Sequence, residues 1–252
     1  MVINGALDQK VHRILVPGIS IESSRAACLL ESNDELELYA AAGIHPNSDQ
    51  ILNQNINELR ELIETKPVKA MGEIGLDYYR MRNPKSDQIT IFHQLLDLAA
   101  EYHLPVCLHN RDADEDIIHI LDGWIQDLEK NNNPLIKSPG VFHAFNGSAR
   151  VAEWAINHHF YLGISGVVTY KKASDLRKLV FEVDMKHLLV ETDAPFLAPH
   201  PFRGRRNEPK YVEYVAREIA LLKGVPFEDV AQISSANADQ LFDWNKKNKT
   251  IH

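Results

Sequence analysis

An α/β barrel of the TIM type is the fold this sequence predicts, and three observations predict it. Apolar, β-branched runs recur along the whole chain, each followed by a stretch with helical spacing. Most of these runs are continuously apolar instead of alternating, as strands buried on both faces are. At 252 residues the chain has the length of one such barrel. Strand–helix alternation implies a parallel sheet, because each short right-handed crossover returns the chain beside the strand it left. An open doubly wound sheet is the competing arrangement, and no G-x-G-x-x-G turn follows the first strand to support it.

The first strand is expected at 12–18 (HRILVPG), where the preceding MVINGALDQK supplies at most the tail of a helix. A helix over 23–30 leads to a strand at 38–46 (LYAAAGIHP), and one over 56–64 to a strand at 68–77 (VKAMGEIGLD). Helix 88–102 precedes strand 104–111 (LPVCLHNR), and helix 114–129 precedes strand 140–145 (GVFHAF). Helix 149–158 and strand 160–168 (FYLGISGVV) come next. Helix 174–180, with Ser174 as its N-cap, then leads to strand 187–195 (HLLVETDAP) and helix 209–222. In every helical stretch apolar residues recur three and four apart, the spacing of one buried stripe. Residues 131–134 read as a loop and the polar run 245–252 as a tail, so 1–252 reads as a single domain.

Hydrophobic residues at 44% and charged residues at 25% are ordinary for a globular chain. A net charge of −8 and a pI near 5.8 argue against a protein that coats nucleic acid with a basic face. They leave room for an enzyme that grips a few phosphates in one pocket. Cys28 and Cys107 are too few for a disulfide framework and are expected as free, buried thiols in a reducing compartment. No apolar signal core opens the chain, and no run approaches the roughly 18 apolar residues of a membrane span. A cytoplasmic protein without a membrane partner is expected, with the nucleus open to it if the source is eukaryotic.

The reactive residues fall in a pattern. His45, Glu73, His109, His143 and Asp193 stand at or just past the C-terminal ends of five expected strands. In a barrel those ends converge on one face, where active sites are assembled. A lone histidine there is ordinary structure. A buried carboxylate such as Glu73 costs several kcal/mol unless it is paired or bound to a cation. Three imidazoles and two carboxylates on one rim suit divalent metal. The chemistry is hydrolysis, in which two ions about 3.5–4 Å apart activate a water and neutralise the attacking and leaving oxygens. One carboxylate must bridge them, and the residues alone leave open whether it is Glu73 or Asp193.

The motifs GIHP (43–46), GEIGLDYYR (72–80), LHNRDA (108–113), FHAFNGS (142–148), ETDAPFLAP (191–199) and RGRRNEP (203–209) resemble, in order and spacing, those of TatD-family deoxyribonucleases. The resemblance runs from about residue 11 to 242. It implies a distorted TIM-like barrel of the amidohydrolase type that cleaves DNA phosphodiesters with Mg²⁺, Mn²⁺ or Zn²⁺, commonly from 3′ to 5′ on single strands or 3′ ends. By that resemblance Glu73 bridges two metals, His109 and His143 complete one site, and Asp193 serves the other and holds or deprotonates the attacking water. His45 lies near the substrate phosphate. Arg111, Arg203, Arg205 and Arg206 become candidates for gripping phosphates, because a guanidinium offers forked donors. Arg111 pairing with Asp112 or Asp114, and Arg205 lying in a solvated loop, are the structural alternatives. Tyr78 and Tyr79 could stack on bases or simply pack.

One departure matters. The family opens with a strand carrying His-x-His, and this chain has no such motif; His12 stands at the start of a strand, on the opposite rim. The expectation is a barrel lacking its first strand, with open edges, and a second metal site reduced to Glu73 and Asp193. Zinc-type sites want at least three protein ligands, whereas Mg²⁺ tolerates fewer. An internal start, a shorter product with impaired catalysis and a non-catalytic binding barrel all fit the departure. Metal-assisted hydrolysis of a small ester, lactone or amide is the alternative enzyme reading.

Overall fold

Seven strands form where the apolar runs predict them, and each pairs in parallel with its sequence neighbours. In a computed structural model that describes residues 2–49, 51–53 and 56–244 they are β1 (Arg13–Pro17), β2 (Glu37–Ala42), β3 (Val68–Asp77), β4 (Val106–Arg111), β5 (Gly140–Phe142), β6 (Tyr161–Ile164) and β7 (Leu188–Val190). The tail expected from residue 245 lies outside the described residues. The sheet runs β1 to β7 in sequence order and curls into a half-barrel; among the described residues β1 and β7 do not pair with each other. The helices are α1 (Val2–Asp8), α2 (Ile21–Ala27), α3 (Ile56–Thr65), α4 (Lys85–Tyr102), α5 (Asp114–Lys130), α6 (Ala149–Asn157), α7 (Ser174–Glu182), α8 (Val212–Lys223) and α9 (Phe227–Phe242). None of the described helices is long and apolar enough to cross a membrane.

Side chains alternate across a strand, so each strand divides its residues between two cores. Met71, Val106, Leu108, Phe142, Leu162 and Leu188 face outward and pack with helix residues such as Phe92, Leu95, Trp124 and Ile219. Ala41, Ala70, Cys107, Val141, Tyr161 and Leu189, one from each of β2 to β7, form a smaller inner core. Three of those six are small, and the space is filled by Leu241, Phe242 and Trp244 at the end of α9.

The helix α9 was not anticipated, and it packs against β7, one of the two strands that end the sheet. On the free side of β7, the Val190 N–H donates to Ser234 Oγ at 2.9 Å, and Asn237 Nδ2 donates to the Leu188 carbonyl at 2.8 Å. Asp239 pairs with Arg13 of β1, and Trp244 stacks on Tyr39 of β2 with ring centroids 4.7 Å apart. The helix thus links the last strand to β1, and Trp244 just beyond its end reaches β2. Replacing Asn237, which is 7% exposed, by alanine removes two hydrogen bonds, to the carbonyls of Leu188 and Met185. It should cost about 1–3 kcal/mol in urea denaturation. An unchanged midpoint would contradict this role.

Other boundaries shift for local reasons. The helix expected at 23 starts at Ile21, because Ser20 caps it: Ser20 Oγ accepts the Ser23 N–H, and Ser23 Oγ accepts the Ser20 N–H. Ser174 is not an N-cap; it lies in the first turn, with its hydroxyl on Asp175. The strands expected through 145, 168 and 195 stop at Phe142, Ile164 and Val190, and their remainders form the site loops. Cys107 is a buried free thiol that burial pushes up to about 12. Cys28 is free but only half-buried, and burial pushes it up to about 11.

Candidate metal centre at the strand C-termini

Period-two alternation carries the inner face past the strand ends to the reactive residues. His45 stands four residues beyond Ala41, His109 two beyond Cys107, His143 two beyond Val141 and Glu191 two beyond Leu189. In β3 the register shifts between Met71 and Ile74, and Glu73 lies within that irregularity.

Glu73 is the hub. Its Oε1 lies 2.8 Å from His109 Nδ1, 3.7 Å from His45 Nε2 and 4.0 Å from His143 Nε2. His143 Nε2 also lies 3.5 Å from Asp193 Oδ1, which joins Asp193 to the group. Ligand atoms of His45, Glu73 and His109 all lie within 4.8 Å of one another. Of the residues read from the sequence, the structure thus brings together Glu73, His109, His143, Asp193 and His45.

Two carboxylates missed by the sequence reading brace the imidazoles. Asp77, 1% exposed, faces His109 Nε2 at 3.3 Å and accepts from Asn47 Nδ2 at 2.6 Å and from the Tyr79 and Arg80 N–H groups. Gln88 of α4 holds the Asp77 backbone from both sides, accepting its N–H and donating to its carbonyl. Glu191 accepts from His143 Nδ1 at 3.0 Å and from the Ala144 N–H at 2.6 Å. It fits because position 163 is glycine, where a Cβ would lie 2.5 Å from Glu191 Oε2. The signal for Glu191 was strand parity with Leu189; for Asp77 it was a second acid in a mostly apolar strand. Carboxylates behind ligating histidines fix the ring and raise its basicity. Glu191→Ala should therefore weaken Mn²⁺ or Zn²⁺ affinity about 10- to 100-fold by calorimetry, and unchanged affinity would contradict the bracing role.

The electrostatics follow from the contacts. Burial would raise the Glu73 carboxyl, but His143, His109 and His45 outweigh it and hold it at about 2. Asp77 is held well below the carboxylate range by the hydrogen bonds of His109, Arg80 and Asn47, against burial. Burial opposes charge on His109 and His143 too, yet Asp77 and Glu73 raise the first, and Glu191 and Glu73 raise the second well above an ordinary imidazole. For His45 burial wins and lowers it to about 4. His45 is thus neutral at pH 7, and its Nδ1 accepts the Asn47 N–H at 3.0 Å. The ring proton then sits on Nε2, the nitrogen facing Glu73.

Among the described residues no lysine or arginine pairs with Glu73, Asp77, Glu191 or Asp193. Four carboxylates around three imidazoles, without a lysine or arginine among them, form a donor set suited to divalent metal.

The arginines stay outside this group. Arg111 makes no ion pair with Asp112 or Asp114; its guanidinium lies 4.0 Å over the Tyr79 ring, and Asp114 takes Asn110 and Ser148 instead. Arg203 lies 4.6 Å over Tyr170. Arg205 and Arg206 are exposed. The two tyrosines divide: Tyr78 is packed, with its hydroxyl on Asp116 and Lys85 over its ring, while Tyr79 is exposed. Asp193 has a left-handed backbone (φ 56°) in a loop tied by buried Asn207, whose Nδ2 donates to the carbonyls of Thr192 and Phe196. Strained backbone of this kind gathers at functional sites.

Comparison with known proteins gives the class of protein. YabD of Bacillus subtilis strain 168, called an uncharacterized metal-dependent hydrolase, is 42% identical over 97% of this chain and 92% of its own. The 3′-5′ ssDNA/RNA exonuclease TatD of Erwinia amylovora is 32% identical over 96% of this chain and 92% of its own. The crystal structure of YJJV, a TatD homolog from Escherichia coli K12, superposes with a TM-score of 0.82 at 30% identity, covering 96% of this chain and 90% of that one. Residues 1–243 match the family described as TatD related DNase, and the chain belongs to that family.

Proposed function

We propose that the protein is a divalent-metal-dependent hydrolase of DNA phosphodiester bonds, acting from the 3′ end of single strands. The observation that carries this reading is the Glu73 carboxylate, within 4.0 Å of three imidazoles and linked through His143 to Asp193. Glu73, His109, His143 and Asp193 would hold the metal, and sites of unequal strength follow from sharing so few ligands between two ions. A bound divalent ion supplies Lewis-acid polarisation of the phosphoryl group and a more acidic water.

The protein's own groups do the rest. Asp77 and Glu191 hold the imidazoles of His109 and His143 in place. Asp193, beside His143, orients the attacking water and accepts its proton. His45 cannot offer Nε2 as a lone pair while Nδ1 accepts the Asn47 N–H. Its Nε2–H is a donor for a phosphate oxygen. Arg111, Arg203 and Arg206 on the rim meet flanking phosphates as forked donors. The relatives named for DNA and RNA exonuclease activity support phosphate over other substrates.

A substrate contest tests the reading. With Mn²⁺, the protein should release nucleotides from a 5′-labelled single strand and leave p-nitrophenyl acetate almost untouched. Ester turnover without strand cleavage would overturn it.

A further inference from the structure

The aromatic side chains around the metal centre are in two different states. Tyr79 and Tyr170 each carry an arginine on the ring, Arg111 at 4.0 Å and Arg203 at 4.6 Å, and the Tyr170 hydroxyl donates to the Ala198 carbonyl. Phe196 has no such partner. It is 67% exposed, and among the described residues neither a ring nor a cation stacks on it. It is also held in place. Its N–H donates to the Asp193 carbonyl at 2.7 Å, and its carbonyl accepts from buried Asn207 at 2.6 Å. Leu197 beside it is 42% exposed. A phenylalanine presented to solvent on a stapled loop, three residues from Asp193, contributes nothing to either core.

The surrounding charge says what fits it. Arg203, Arg205 and Arg206 are exposed in the segment that Asn207 ties to the same loop. In a chain of net charge −8 this is a local run of guanidinium groups. An unstacked base has an apolar π-face and an anionic phosphate one sugar away, which complements a bare ring beside guanidinium groups.

We propose that Phe196 is the stacking platform for a nucleobase of the strand whose phosphodiester lies at the metal centre, with Arg203–Arg206 taking the adjoining phosphates. This rests on the nuclease reading above. Stacking on a phenyl face is tolerant of sequence and demands an unpaired base, so it gives single strands preference over duplex.

The test compares wild type, Phe196→Ala and Phe196→Trp on a single-stranded oligonucleotide and on one whose last three 3′ nucleotides are abasic. Binding of fluorescent strands by anisotropy in EDTA runs beside KM with Mn²⁺. For the normal strand, Phe196→Ala should weaken binding and raise KM by about 5- to 100-fold, and Phe196→Trp should restore both. On the abasic strand the penalty should shrink to within about twofold, because no base is left to stack. Equal penalties on both strands, or none on either, would overturn the proposal while leaving the nuclease reading standing. A wild type that cleaves neither strand would overturn both.

Discussion

Replacing Glu73 by alanine should lower kcat/KM for phosphodiester cleavage by on the order of 10³-fold or more, roughly 4 kcal/mol of transition-state stabilisation. The size follows from its position. Glu73 Oε1 faces His109, His45 and His143 at once, so its loss removes the hydrogen-bond partner of His109 and the negative charge beside all three imidazoles. The metal-free protein should suffer too, since His109 and His143 hold their protons above the ordinary range partly through Glu73. Removing one member of a buried charged pair costs about 3–5 kcal/mol. Glu73→Gln separates the two effects, because it keeps the shape and a hydrogen-bonding oxygen. Steady-state digestion, Mn²⁺ titration and thermal melting of both variants read out the outcome. Activity within about tenfold of wild type in Glu73→Ala would contradict the metal-centre assignment.

Asp193→Asn should act differently. The amide is nearly isosteric, and the loop remains tied by Asn207 through the carbonyls of Thr192 and Phe196, so stability should change little. What disappears is a carboxylate able to accept a proton beside His143. Losing a positioned base costs about 10²- to 10⁴-fold, and the loss belongs in kcat. A rise in KM with kcat preserved would show that Asp193 binds substrate without serving the proton transfer.

How legible these features were depends on whether they arise within one segment or between segments. The strands were readable because residues buried on both faces leave continuous apolar runs, and the barrel face followed because His45, His109 and His143 share the parity of Ala41, Cys107 and Val141. The helix α9 was not readable. Its inward side carries Ser234 and Asn237, which serve the β7 backbone, so polar residues interrupt the apolar stripe that marks a helix. Asp77 and Glu191 escaped for a related reason. Asp77 acts on a histidine of the adjacent strand β4 and Glu191 on one that follows β5, two strands away, at 32 and 48 residues in the chain, and no local spacing announces such a pairing. The open sheet edges expected from the sequence are present, since β1 and β7 do not pair among the described residues, and α9 meets one of them through hydrogen bonds to β7.

The arginines show the limit of reading by type. A guanidinium near the rim suggested phosphate, yet Arg111 and Arg203 lie over the rings of Tyr79 and Tyr170. A cation held over an aromatic ring in this way is not something sequence alone distinguishes from a solvated basic loop.

Digestion of 5′-labelled single-stranded DNA by the purified chain, with Mg²⁺, with Mn²⁺ and with EDTA, is the most direct test of the central claim. A metal-dependent 3′-to-5′ ladder that vanishes in EDTA and in Glu73→Ala is the predicted result. A folded wild type that leaves the strand intact with either metal, or that cuts it equally well in EDTA, would contradict the account.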